Sequence, residues 1–122
     1  MSMWRRKALE CLPEERVELE DPRASIYTAF SALLSATVAA HKAGDRERLK
    51  KYYAFAEWCS QQNAEDLRNA AGVSFYEHLG DFPETLAAMP VWVKRSRYLQ
   101  IRGLLQLRLT EEELLDLDKR YR

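Results

Sequence analysis

Ala64 to Gly80 reads AEDLRNAAGVSFYEHLG, and the fold turns on how this stretch is read. It opens on helix-favouring polar residues and closes on a glycine, which predicts one continuous central helix. Its second half, Ala70 to Leu79, is apolar or small almost all round. A helix of that character is buried between others rather than laid on a surface. Ala70, Ala71, Gly72 and Ser74 are small enough to let neighbouring backbones approach. Val73, Phe75, Tyr76 and Leu79 are predicted to fill the space beside them.

Upstream, Asp21-Pro22 predicts a helix start, with Asp as cap and Pro in the first turn. Ile26, Phe30, Leu33, Leu34, Thr37, Val38 and His41 then recur at three- and four-residue steps. Gly44 predicts the C-cap, and Asp45 caps the next helix, Arg46 to about Gln62. So short a link makes the pair an antiparallel hairpin. Leu49, Tyr52, Tyr53, Ala56 and Cys59 share one face of the second helix. Trp58 falls nearly opposite, which predicts packing in a second layer or exposure to a partner.

Downstream, Gly80 to Pro83 predicts a break and Glu84 to Met89 a short turn. Pro90 is then expected to open a last long helix, Val91 to about Leu109, with Val91, Tyr98, Leu105 and Leu109 in one stripe and Trp92 and Leu99 in another. Thr110 to Glu113 is T-x-x-E, a capping box, which predicts a terminal helix anchored by Leu114, Leu115 and Leu117. Before the hairpin, Met3 to Leu12 reads as a short helix and Glu14 to Asp21 as an acidic, solvated connector.

These signals add up to an all-α chain. Residues 1–122 are expected to form a single helical domain, with 1–20 as an N-terminal extension and 110–122 as a C-terminal capping helix. The architecture expected is an antiparallel helical bundle or short helical-repeat-like array of about five to seven helices. A length of 122 residues, 47% of them hydrophobic, supports a real core without disulfides or metals. Four glycines and four prolines leave room for long helices and few turns.

Composition also excludes function classes. Nineteen basic and 19 acidic residues cancel, so no global basic field attracts nucleic acid. The charge-free run from Ala24 to Ala40 is short for a membrane span and carries several hydroxyls, which predicts a core helix and no membrane partner. Met1 to Cys11 lacks the apolar core of a signal peptide. Cys11 and Cys59 have no metal-ligand or redox spacing and read as buried thiols of a cytoplasmic protein.

Catalytic chemistry finds little footing. Ser74 and His78 stand four residues apart on the expected helix, but nothing supplies an oxyanion hole or an orienting carboxylate. Glu77, His78 and Asp81 cluster near a helix end without metal-ligand spacing. The chain is therefore expected to be no enzyme and to hold no metal or cofactor. Charge is most uneven in Lys94, Arg95, Arg97, Arg102 and Arg108, a segment without acids. With Trp92 and Tyr98 interleaved, it suits phosphates and bases or a protein interface, where Trp, Tyr and Arg dominate.

Asp66-Leu67-Arg68-Asn69-Ala70, followed by Val73-Ser74-Phe75-Tyr76-Glu77-His78-Leu79, resembles the central helix of an uncharacterised group of small bacterial all-helical domains. The Gly44-Asp45 hairpin with its aromatic second helix is similar too, and the likeness runs from roughly Ile26 to Leu105. Such domains resemble immunity proteins of bacterial toxin systems. The resemblance implies a non-enzymatic protein that neutralises a cognate toxin by direct complex formation. The neutral charge departs from the acidic character of inhibitors of basic nuclease toxins, which weighs against a nuclease target more than against binding. The expected contacts are Trp58, Tyr76, Trp92, Arg95, Arg97 and Tyr98, with Glu77 and Asp81 meeting any basic partner. Nucleic-acid binding through residues 92–108 is the alternative, and an exposed aromatic patch would serve a homodimer equally.

Overall fold

The computed structural model describes all 122 residues. It contains eight α-helices and no strand: α1 Met3–Cys11, α2 Arg16–Glu20, α3 Ile26–Ala43, α4 Arg46–Ser60, α5 Glu65–Ser74, α6 Pro83–Trp92, α7 Arg95–Leu105 and α8 Glu111–Arg120. Short 3₁₀ turns cover Pro13–Glu15 and Tyr76–Asp81. No helix is long and apolar enough to cross a membrane.

Where the chain carries strong local caps, helix ends fall as expected. Gly44 takes the left-handed conformation at φ 67°, and the Asp45 carboxylate accepts from the Arg48 amide at 3.2 Å. Thr110 and Glu113 form the reciprocal capping box. The α3 start differs. Asp21-Pro22 lies in a turn, and Ser25 caps α3 by accepting from the Tyr27 and Thr28 amides while Thr28 Oγ1 accepts from the Ser25 amide. A threonine stands where the usual box has Glu or Gln, which hides the signal.

Eight helices exceed the five to seven expected because the acidic connector and the turn before Pro90 both fold as helices, while the central helix ends early. The acidic connector folds as α2, since Leu19 is fully buried. The Arg5 guanidinium fastens its end, donating to the carbonyls of Leu19, Asp21 and Ala24. The central helix stops at Ser74. Phe75 leaves the helical region at φ −128°, ψ −72°, its ring meeting those of Phe30, Tyr53 and Tyr76. Val73 consequently faces solvent rather than the core. Gly80 serves close approach: a Cβ there would sit 2.9 Å from Leu109 Cδ2.

The third correction concerns Pro90, which lies inside α6 rather than opening a helix. It has no N–H to give the Leu86 carbonyl four residues back. Arg120 of α8 supplies donors there, to Leu86 O at 3.4 Å and to Ala87 O. The chain then becomes extended at Val93 before α7 begins. The predicted stripes are therefore interrupted, and Val91, Leu99 and the expected anchor Leu115 are exposed.

One core of 29 buried residues runs from Ala8 to Tyr121. At its centre α3, α4 and α5 pack on one another through Phe30, whose ring lies 5.5 Å from Phe55 and 6.0 Å from Phe75. Ala70 and Ala71 are buried on α5, as their size predicts, and Gly72 is buried against Leu104 of α7. A second junction joins α7 to α8, where the Tyr98 and Tyr121 rings stack 4.0 Å apart.

Candidate functional site

The side chains singled out from sequence are mostly used inside the fold. Tyr76 and Tyr98, expected at a partner surface, are 2% and 1% exposed. Tyr98 donates its hydroxyl to Asp118. Trp58 is half-buried, stacked on Phe55 with the Lys7 ammonium 5.1 Å from its ring. Trp92 is also half-buried. It lies parallel to Tyr53 at 5.5 Å, and the Arg46 guanidinium lies over its ring at 5.3 Å. Glu77 is buried against Arg108, at 2.9 Å. Asp81 is exposed and bonds His78 Nδ1 at 2.8 Å, and Arg95 is exposed. Ser74 and His78 no longer share a helical face, because the helix ends between them.

The basic segment is likewise drawn into the molecule. Arg97 and Lys94 both reach Glu57 of α4, at 2.8 and 3.0 Å. Burial pushes the Glu57 carboxyl up, but hydrogen bonds from Arg97 and Lys94 outweigh it and leave the group below its ordinary range. Arg102 grips Asp118 of α8 at 2.7 and 2.9 Å. These two elements thus supply each other's counter-charges.

The Arg102 and Tyr98 hydrogen bonds hold Asp118 down at about 2. A carboxylate lowered on folding adds stability that is complete above its unfolded value near 4 and is lost as pH falls through the folded value. Acid unfolding should therefore steepen between about pH 4 and pH 2. Asp118→Asn should flatten the pH dependence of denaturant stability in that window. An unchanged slope would remove the clamp from the account.

A different surface stays open. The row Tyr27, Ser31, Ser35, Ala39 and Ala43 follows a four-residue step along α3 and faces solvent. From Ser31 onward the row, with Ala32, Ala36 and Ala40, forms one wall of a cleft of about 610 Å³. Glu14, Glu15 and Glu18 line the opposite rim, while Asp45, Arg48 and Tyr52 line it from α4 and its cap. The 3₁₀ turn and α2 place the three glutamates, and Arg5 pins the end of α2. The sequence signal was present but misassigned. The charge-free run from Ala24 to Ala40 reads as wholly core, whereas only the face bearing Ile26, Ala29, Phe30, Leu33, Thr37 and Ala40 is buried.

Fold and cleft together define a small all-helical domain with an acid-rimmed, small-residue groove. The chain belongs to the family described as Domain of unknown function (DUF7674), whose model matches residues 5–105. α8 lies beyond that match, although it contributes Leu114 and Leu117 to the core. No curated protein and no solved structure matches the chain.

Proposed function

We propose that this chain is a non-enzymatic protein-binding module, working as an antiparallel helical bundle in the bacterial cytoplasm. Its most concrete form is an immunity protein that neutralises a cognate toxin by direct complex formation. The α3 cleft is the observation that carries this reading. Uncharged small residues exposed along more than three turns of a helix are well shaped to receive another backbone. The free thiols of Cys11 and Cys59 suit a reducing compartment. Burial pushes the Cys11 thiol up to about 11 and Cys59 up to about 12, away from nucleophilic use at neutral pH.

Tagged full-length protein, used as bait in its native host, should retain one protein in stoichiometric amount through size-exclusion chromatography. If that protein is toxic when expressed alone, co-expression should restore growth. A retained partner whose toxicity persists under excess of this chain would end the immunity reading and leave only binding. Failure to retain any protein would end both.

A further inference from the structure

We infer that the α3 cleft receives a positively charged helix of the partner, its small-residue face against Ser35 and Ala39 and its cations against Glu14, Glu15 and Glu18. This rests on the protein-binding reading above and adds the chemistry of the surface that is bound. Three observations converge on it.

The first is shape. Ser31, Ser35, Ala39 and Ala43 repeat at four-residue steps, the spacing of one helix ridge. None carries more than two heavy atoms beyond Cα. A second helix can therefore come in at the short end of the usual interaxial range of about 8–10 Å. The row covers about 18 Å, or roughly three turns, at 1.5 Å per residue.

Charge supplies the second. Asp45 is answered by Arg48 at 3.3 Å. Glu14, Glu15 and Glu18 enter no ion pair within the fold, unlike Glu57, Glu77 and Asp118 deeper in the molecule. An occupant that covered the cleft would desolvate this rim. A cation opposite each carboxylate offsets that cost most fully. An acidic or purely apolar occupant is disfavoured.

The third is an unused donor. Tyr52 is 1% exposed and lines the cleft. Its hydroxyl takes part in none of the fold's hydrogen bonds and, since no buried polar side-chain atom lacks a partner, it opens onto the solvent of the cleft. Backbone carbonyls left open at a helix C-terminus are acceptors of the kind required. A partner helix that ends near Tyr52 would supply one.

The probe is a fluorescent peptide of about 18 residues, alanine on one face and lysine on the other, long enough to span the row. Fluorescence anisotropy at low salt should show saturable binding to the full chain. Binding should weaken at least about tenfold for the Glu14→Lys, Glu15→Lys, Glu18→Lys triple variant. It should weaken comparably for Ser35→Gln with Ala39→Gln, which fills the groove without altering charge. Both positions are exposed, so circular dichroism should confirm unchanged helicity. A peptide of equal composition interrupted by prolines should bind at least about tenfold more weakly, because it cannot form the helix.

Three results would overturn the inference: no saturable binding, equal binding of the proline-broken peptide, or equal binding by the glutamine double variant. A fourth is a wild-type dimer that the glutamine variant converts to monomer, which would assign the cleft to a second copy of the chain. The two levels separate cleanly. A native partner still captured by the glutamine variant would leave the binding reading intact and remove the cleft from it.

Discussion

Phe30→Ala should cost about 4 kcal/mol of folding free energy, the middle of the range for deleting a buried aromatic. The ring is fully buried where α3, α4 and α5 meet, against Phe55 and Phe75. No neighbour can move in to fill the void. Ala29 and Ala70 have no reach, Phe55 is held by α4, and the Phe75 ring is held against Tyr53 and Tyr76. A loss of that size is a large part of the roughly 5–15 kcal/mol that holds a domain together. Urea denaturation should show a midpoint well below wild type with an unchanged slope. Val91→Ala, on a 68% exposed side chain, should change stability by less than about 0.5 kcal/mol. A Phe30→Ala loss below about 1.5 kcal/mol would mean that the junction can collapse and is not the rigid centre described.

Tyr121→Ala should be nearly as damaging, at about 3 kcal/mol. Two kinds of contact are lost together. The ring stacks on Tyr98 at an interplanar angle of 5°, an arrangement worth about 1 kcal/mol beyond its buried area. The hydroxyl donates to the Val93 carbonyl at 2.8 Å, with the Met89 carbonyl at 3.0 Å, closing the C-terminal end of α6. Tyr121→Phe separates them. It should keep the stack and lose about 1 kcal/mol for a carbonyl left without its donor. Hydrogen exchange would localise the effect: α8 amides should lose protection first in Tyr121→Ala, before those of α3 and α4. Uniform loss across all helices would show that α8 and the central three helices open as one unit.

The same residues explain how far sequence reasoning carried. The Gly44-Asp45 hairpin and the Thr110 box were readable because each cap is completed within four residues of itself. Leu49, Tyr52, Tyr53, Ala56 and Cys59 were correctly placed on one buried face, since helical spacing alone sets their relative direction. The break at Phe75 was not readable. It depends on where Phe30 and Tyr53 stand, and those arrive from other helices. Pro90 misled for a related reason: the donor that tolerates it within α6 is Arg120, thirty residues away in a separate helix.

The expected interaction surface fared in the same way. Trp, Tyr and Arg are the residues that dominate interfaces, but they also dominate internal packing and ion pairing. Tyr76, Tyr98 and Arg97 found partners inside the molecule. The cleft went unseen because alanine and serine carry no signal of their own. Their meaning comes from Glu14, Glu15 and Glu18 being brought across from them.

By itself the sequence determined that this chain is helical, where its strongly capped helices end, and which residues of the hairpin face inward. Those properties depend on backbone geometry and on neighbours within about one turn. The tertiary structure alone decided which aromatics are sequestered, which charges cancel, and which face of α3 is left uncovered. A helical wheel gives the direction in which a side chain points, and only the packed chain shows what waits there.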